Sequence, residues 1–484
     1  MVQRSDLVRI SEYVWEIPTS YRPDMRVPAR IYASEELLDL AFRDKTMDQL
    51  VNTAAMPGVV KRVLVMPDAH QGYGPPIGGV VPTRYPDGVI SPGAVGYDIN
   101  CGVRLMVSEL MADEVRDEVS GLISALFRNI PSGVGKGGGA RGVSSREMDE
   151  VLVKGAGWAV KAGYGRPEDL ERIEEGGAMD GADPSSVSPR AKQRGGPQLG
   201  TLGSGNHFIE IQEVEQVFDE RVARAFGLFE GQLAVSIHSG SRGLGHQVCD
   251  DYVKSLQAAV SKYKIQLPDR QLVCAPLNTP EGRRYFGAMA SAANYAWANR
   301  QCMAQLARRS FEEILAGKVR NFDLHTVYDV AHNIAKIEEH TVDGKRIKLC
   351  VHRKGATRAF GPGHPAVTPV YRDVGQPVLV PGDMGTASYV LVGTGDAMQE
   401  SFGTSCHGAG RTMSRSAAKR QIHGGTLRQE LEGRGIAVRA GSMAGLAEEA
   451  PDAYKDIDAV IRVVDGAGLA RKVARLRPLA VMKG

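Results

Sequence analysis

Glycine sets the first constraint on this chain: there are 57 in 484 residues, well above the roughly 7% of an ordinary protein. A glycine weakens the interior of a helix or strand, so this many imply numerous tight turns and close backbone approaches. Loops that wrap phosphate groups need that freedom. The most informative loop is Gly96-Tyr97-Asp98-Ile99-Asn100-Cys101-Gly102-Val103-Arg104. It sets a carboxylate and a thiol three residues apart, after the turn residues Ser91-Pro92-Gly93 and ahead of an apolar run. A carboxylate and a thiolate from one short loop can hold one metal ion, and a thiolate can bridge two.

Composition narrows the class. With 43% apolar and 24% charged residues, the chain reads as a globular protein long enough for a large buried core. No apolar run reaches the roughly 18 residues of a membrane span. Met1-Val2-Gln3-Arg4-Ser5-Asp6 has no signal-peptide character, so the expected location is the cytoplasm, with no membrane partner. Cys101, Cys249, Cys274, Cys302, Cys350 and Cys406 show no CxxC pairing, which argues against a disulfide framework. A net charge of +3 does not announce a nucleic-acid partner. From Arg411 to Arg439, seven Arg or Lys stand against Glu430 and Glu432. Such a run is more often a solvated helix face than a phosphate site.

Hydrophobic patterning alternates strands and helices. Val59 to Met66 reads as a buried strand followed by a polar loop, Pro67-Asp68-Ala69-His70-Gln71-Gly72. Gly78 to Val81, the run from Val103, Ala234 to His238, Val378 to Val380 and Tyr389 to Val392 also read as strands. Arg283 to Ala316 is a long helical segment rich in small residues, and Ser414 to Arg420 is helical. Pro131 to Arg146 and Gly176 to Gly205 read as long loops or inserts. There is no internal repeat and no clean linker. The candidate metal residues run from 98 to 332, so any division would cut the site. A single α/β domain over 1–484, with central β-sheets surrounded by helices and Gly-rich loops forming the site, is the economical reading.

Four histidines share the setting of Cys101: His207 in Gly203-Ser204-Gly205-Asn206-His207-Phe208-Ile209-Glu210, His238 before Ser239-Gly240-Ser241-Arg242-Gly243, His332 before Asn333, and His407 before Gly408-Ala409-Gly410-Arg411. Singly, each reads as a satisfied structural histidine and Cys101 as an inert buried thiol. No HExxH or CxxC fixes a geometry. Only their repetition favours a Cys/His/Asp metal site, and the residues alone leave both readings open. On the phosphate side, Gly133-Val134-Gly135-Lys136-Gly137 is not a P-loop, and no GxGxxG opens a βαβ unit. His407 to Arg411 combines a nucleophile-capable imidazole, glycine N–H groups and an arginine. A helix starting just after it would add positive potential, while a Gly-rich turn capped by histidine fits the pattern as well.

These residues are where the chain resembles the RtcB family of RNA-splicing ligases, over essentially its whole length. The matching blocks are Met66 to Gly72, Asp98 to Arg104, Gly203 to Glu210, His238 to Gly243, Ala331 to Asn333, His352-Arg353-Lys354-Gly355-Ala356-Thr357, His407 to Arg411 and Lys483-Gly484. The resemblance implies that Asp98, Cys101, His207, His238 and His332 bind two manganese ions per subunit, with Cys101 bridging. It implies that His407 attacks the α-phosphate of GTP to give a histidine–GMP phosphoramidate. It implies a guanylate pocket of Asn206, His207, Phe208, Ile209, Glu210, His332, Asn333, Pro381, Gly382, Asp383, Met384, Ser388, His407, Gly408, Ala409, Gly410, Arg411, Tyr454 and Lys483. Glu210 and Lys483 would read guanine edges there, and Arg194, Arg242 and Lys354 would hold RNA phosphate. Asp383 departs from the family pattern, which has serine there; an acid repels phosphate unless it faces guanine N–H donors or the ribose.

By the same resemblance, a 2′,3′-cyclic phosphate end is opened to a 3′-phosphate, GMP passes from His407 to that phosphate, and a 5′-hydroxyl then displaces GMP. The partners would be RNA ends, from broken RNA or intron-cleaved tRNA, and an archease-type activator. The residue types agree: neutral imidazole is nucleophilic near pH 7, and a thiolate suits Mn²⁺ better than Mg²⁺. A lysine-based nucleotidyltransferase is excluded because Thr341-Val342-Asp343-Gly344 and Val463-Val464-Asp465-Gly466 lack the lysine of KxDG. A metal-dependent phosphoesterase would leave His407 to Arg411 and Lys483 without a role. A non-catalytic RNA-binding module would not need Asp98, Cys101 and three histidines, and the chain lacks aromatic motifs of the RNP type.

Overall fold

The long helix is the spine of the molecule. In a computed structural model that describes residues 1–133, 135, 137–140, 142–320 and 322–484, it runs from Pro280–Leu315. It starts where the sequence supplies a cap: Thr279 accepts from the Gly282 N–H, and Pro280 occupies the first turn. Its small residues Ala288, Ala292, Ala296 and Ala304 are fully buried and let neighbouring elements approach closely. Apolar side chains on successive turns feed two cores, one around Tyr295 and Trp297 and one around Met303 and Phe311. Each such buried side chain contributes about 1.5–3 kcal/mol.

Two sheets carry the mixed α/β fold. The larger runs in the order His325–Ala331, Gly102–Met111, Gln232–Ser239, Phe208–Val217, Ala470–Lys483, Ser388–Gly393 and Pro377–Val380, every pairing antiparallel. Ala437–Ala440 adds in parallel to Ala470–Lys483 as its eighth strand. The second runs Val8–Ser11, Val14–Ile17, Ala29–Tyr32, Val63–His70, Ile77–Arg84, Lys345–Lys354 and Asn333–Val342. Only its Ala29–Tyr32/Val63–His70 pairing is parallel. One of the crossings from the larger sheet to the second takes a single residue, His332, which lies between the strands His325–Ala331 and Asn333–Val342.

The expected strands at Gly78, Val103, Ala234, Val378 and Tyr389 are present. Three expectations change. The strand read over Val59 to Met66 is Val63–His70, so most of the expected polar loop continues it. Register slips between Val65 and His70, and an irregularity of that kind is where a strand tolerates proline. The Gly176 to Gly205 segment contains the helix Pro189–Gly195, capped by Ser188. No helix opens directly after the His407 loop; the next is Arg415–Gln421, capped by Ser414. Val134, Lys136 and Arg141, and with them part of the Gly133 to Gly137 segment, lie outside the described residues. Among the described residues no helix is long and apolar enough to cross a membrane, and all six cysteines are buried and unpaired.

Candidate active site

Strand register gathers the candidate ligands at one end of the larger sheet. Ala331 pairs with Gly102, and Gly102 with Ser239. His238 pairs with Val103 on one side and Phe208 on the other, and Phe208 pairs with Lys483. Cys101, His207 and His332 each sit one residue beyond a paired strand end, so all three meet His238. Cys101 Sγ lies 3.2 Å from His238 Nε2 and 3.4 Å from His207 Nε2. His238 Nε2 lies 3.3 Å from His332 Nε2, and His207 Nε2 lies 2.7 Å from Asp98 Oδ2. Two donor groups result, Asp98/Cys101/His207 and Cys101/His238/His332, and the cysteine belongs to both.

The donor chemistry fits cations. His207 Nδ1 donates to the Leu202 carbonyl at 2.9 Å, which leaves its Nε2 as a lone pair facing a carboxylate. That contact calls for a positive charge, either a second proton or a metal ion. Burial holds His238 and His332 well below the ordinary imidazole range, so both are neutral imidazoles at pH 7. Their Nδ1 atoms are buried without a hydrogen-bond partner among the described residues. Burial, with Asp98 adding, pushes the Cys101 thiol well up, and a bound cation is what would deprotonate it. Burial alone would raise Asp98 too, but His207 outweighs it and holds the carboxyl low. Asp98 Oδ1 accepts from Ser241 N (3.0 Å) and Oγ (3.2 Å). A Cβ at Gly240 would stand 2.4 Å from that oxygen, so the approach requires glycine.

His407 follows the short strand Thr404–Cys406, which pairs with Ala356–Arg358. Its ring centroid is 5.0 Å from that of His332. Asp68, in the irregular part of its strand, holds it: Oδ2 accepts from His407 Nδ1 at 2.5 Å and from the backbone N–H groups of His407 (3.0 Å) and Gly408 (3.3 Å). A carboxylate only accepts, so Nδ1 carries the proton of that bond, and Nε2 has no hydrogen-bond partner among the described residues. Gly410, at φ +75°, passes over the same strand; a Cβ there would meet the Asp68 carbonyl at 2.1 Å.

Both centres open into one cavity of about 1440 Å³. Asn206, Phe208, Glu210, Asn333, Pro381, Gly382, Asp383, Met384, the loop His407 to Arg411, Tyr454 and Lys483 all line it. Ile209 is core instead, and Ser388 stands behind Glu210, accepting from Gln212 Nε2, which also donates to Glu210. Burial pushes Glu210 up to about 8 and lowers Lys483, with Glu449 and Glu210 pulling the lysine back.

Residues 49–484 match the protein-family model described as tRNA-splicing ligase RtcB. The chain is 56% identical over 478 residues to the tRNA-splicing ligase RtcB of Thermococcus kodakarensis, covering 99% of both chains. It is 57% identical to that of Archaeoglobus fulgidus over the same length and coverage, and 48% identical to that of Methanococcus maripaludis, covering 99% and 100%. The chain belongs to the RtcB family.

Within this RtcB chain some expected residues have contacts of their own. Asp383 Oδ1 accepts from the Gly385 N–H and Oδ2 from the Thr386 hydroxyl, both at 2.8 Å, so its carboxylate closes its own turn. Lys354 lines the cavity, but its Nζ donates to the Tyr73 (2.5 Å) and Pro75 (2.8 Å) carbonyls. Arg242 lines the cavity with Nε on the Thr201 hydroxyl. Arg194 is exposed outside that lining and bonds Gln247. The basic run from Arg411 divides. Arg411 and Arg415 turn to buried Glu449 at 3.1 and 2.9 Å, whereas Arg428 pairs with Glu432 on an exposed face. Asp68 and Glu449 carry no role in the sequence reading. Asp68 lies inside a matching block, whereas Glu449, which also accepts from Tyr454 Oη, carries no local signal.

Proposed function

We propose that this RtcB protein is a GTP-dependent RNA ligase that joins 2′,3′-cyclic phosphate or 3′-phosphate ends to 5′-hydroxyl ends, through a histidine–GMP intermediate on His407. The observation that carries the reading is the Asp68-anchored His407, whose Nε2 is unpartnered among the described residues beside a two-group donor cluster, in a cavity lined with Arg411, Lys483 and Glu210. Asp98, Cys101, His207, His238 and His332 would hold two Mn²⁺ ions with Cys101 shared. When bound, these ions would neutralise phosphate charge and favour in-line displacement.

The chain's own residues account for the remaining steps. Nε2 of His407 forms a bond to the α-phosphorus of GTP as the bond to pyrophosphate breaks. Asp68 keeps the Nδ1 proton and stabilises the positive charge on the ring. The 3′-phosphate of the RNA, already opened from any cyclic form by water, takes GMP from His407, and the imidazole leaves with its electron pair. The 5′-hydroxyl then attacks that activated phosphate, loses its proton and expels GMP. Glu210 and Lys483 stand as hydrogen-bond partners for guanine edges, while Arg411, paired with Glu449, holds the wall of the loop that carries His407. tRNA splicing is the cellular role supported by the relatives' names.

The protein incubated with Mn²⁺ and α-labelled GTP should acquire a covalent, acid-labile, alkali-stable label, and His407→Ala should abolish it. Label on lysine, or no label while phosphate esters are still cleaved, would replace this reading with another nucleotidyltransferase or a phosphoesterase.

A further inference from the structure

One stretch of the cavity wall has no part in the reaction above. Tyr73, Tyr97 and His246 line it together. The tyrosine ring centroids are 5.8 Å apart at 77°, and Tyr97 lies 6.2 Å from His246 at 37°. The two phenol rings are half-buried, packed against the core around the long helix, and His246 is exposed. An edge-to-face pair of this kind leaves ring faces unpaired. In a chain with only 6% aromatic residues, three such rings on one wall of the cavity are a distinct surface.

The surroundings select the occupant. Tyr97 precedes Asp98 in the chain, so the ring is one residue from the donor cluster. Lys354 Nζ is bonded to the Tyr73 carbonyl. Arg242 stands one helical turn before His246 on the helix Arg242–Lys262 and faces the same cavity. Its guanidinium hydrogen bonds go to the Thr201 hydroxyl and the Gly133 carbonyl. Aromatic faces with an arginine close by, beside a phosphate-handling centre, are how single-stranded nucleic acid is held without reading its sequence. Resting on the RNA-ligase reading, we propose that Tyr97, supported by Tyr73 and His246, stacks the nucleobase of a terminal RNA nucleotide. Because every base has a π-face, the contact would accept any sequence. It would discriminate against an end that has lost its base.

The base could belong to the 3′-phosphate strand or to the 5′-hydroxyl strand, and the substrates separate these. Ligation rates are compared for intact RNA, RNA abasic at the 3′-terminal nucleotide and RNA abasic at the 5′-terminal nucleotide, with wild type, Tyr97→Leu, Tyr97→Phe and Tyr73→Leu. Wild type should join intact ends roughly tenfold or more faster than one of the two abasic substrates, and that substrate identifies the strand. Tyr97→Leu should bring this ratio close to one, Tyr97→Phe should keep it, and Tyr73→Leu should reduce it in part. The ratio is internal to each protein, so a variant with low activity still reports. If Tyr97→Leu does not fold, Tyr73→Leu and Tyr97→Phe carry the comparison. No discrimination by wild type, or an unchanged ratio in Tyr97→Leu and Tyr73→Leu, overturns the stacking role. Absence of GTP label on wild type would instead overturn the ligase reading.

Discussion

Asp68→Asn isolates the anchor of the proposed nucleophile, His407, with little change in volume. Asp68 is fully buried. Its Oδ2 takes three N–H groups, from the His407 ring and from two consecutive backbone amides, while Oδ1 has no partner among the described residues. The amide can therefore sit in two ways, both costly. With its oxygen toward His407, the three N–H groups keep an acceptor but lose the negative charge, and the NH₂ group takes the buried place of Oδ1. With its NH₂ toward His407, two backbone N–H groups lose their acceptor. The ring must then accept at Nδ1, which moves its proton to Nε2 and removes the attacking lone pair.

The charge is lost either way. A hydrogen bond to a charged group is worth about 1.5–3 kcal/mol, so label formation should slow by roughly 10- to 150-fold. The assay is single-turnover labelling from α-labelled GTP at saturating Mn²⁺, with metal content measured alongside. Asp68 belongs to neither donor group, so Mn²⁺ occupancy should stay near the wild-type value. A variant that labels within twofold of wild type would refute the anchoring argument. So would a loss of metal that parallels the loss of label.

Cys101→Ser should lower Mn²⁺ occupancy and joining by more than the roughly 10- to 100-fold that loss of a supporting partner costs, whereas Cys302→Ser, buried in the long helix, should change metal content little; equal small losses would remove the bridging role. Glu210 keeps a proton up to about pH 8 in the folded protein, but releases it near 4.3 in an unfolded chain. Folding therefore binds a proton between those values, and wild-type stability falls as pH rises through them. Glu210→Gln abolishes that slope, so its Tm advantage over wild type should grow from pH 5 to pH 8 while its GTP affinity drops. Asp383→Ser can rebuild the turn to Gly385 and Thr386 and should hold GTP affinity within about twofold, while Asp383→Ala, losing both bonds, should weaken it by roughly tenfold; calorimetric titration distinguishes them.

Local signals carried much of the fold. Thr279-Pro280 opens the long helix, Ser414 caps the next one after the His407 loop, and the apolar runs at Ala234 and Tyr389 are strands as their patterns require. Where the sequence reading missed, a non-local contact decided. Pro67-Asp68-Ala69-His70 is polar and carries proline, yet it continues a strand because Ile77 pairs with His70. The turn Gly408 to Gly410 does not start a helix, since Gly410 is pinned over Asp68 and Arg411 bridges to Tyr454. The site followed the same rule. The five donors were legible as residue types in Gly- or Ser-rich settings, but their meeting depends on strand pairings up to 275 residues apart, such as Lys483 with Phe208. Glu449 was invisible because nothing around it in sequence shows that Arg411, Arg415 and Tyr454 close on it.

The placement of His332 explains why the candidate donors and His407 share one cavity. It ends a strand of the larger sheet, and the next residue begins a strand of the second. The larger sheet contributes His238 and the residues beside its strand ends; the second contributes Asp68 and hence the position of His407. Arg300 locks the junction. Its guanidinium donates to the Asn100 carbonyl (2.7 Å), the Ser239 carbonyl (2.9 Å) and buried Asp329, so the backbone beside Cys101 and His238 is tied to the strand that leads into His332. A guanidinium offers five donors in a fixed fork, and a lysine could not span the same acceptors. The distance between the donor cluster and His407 is therefore set by how the two sheets dock.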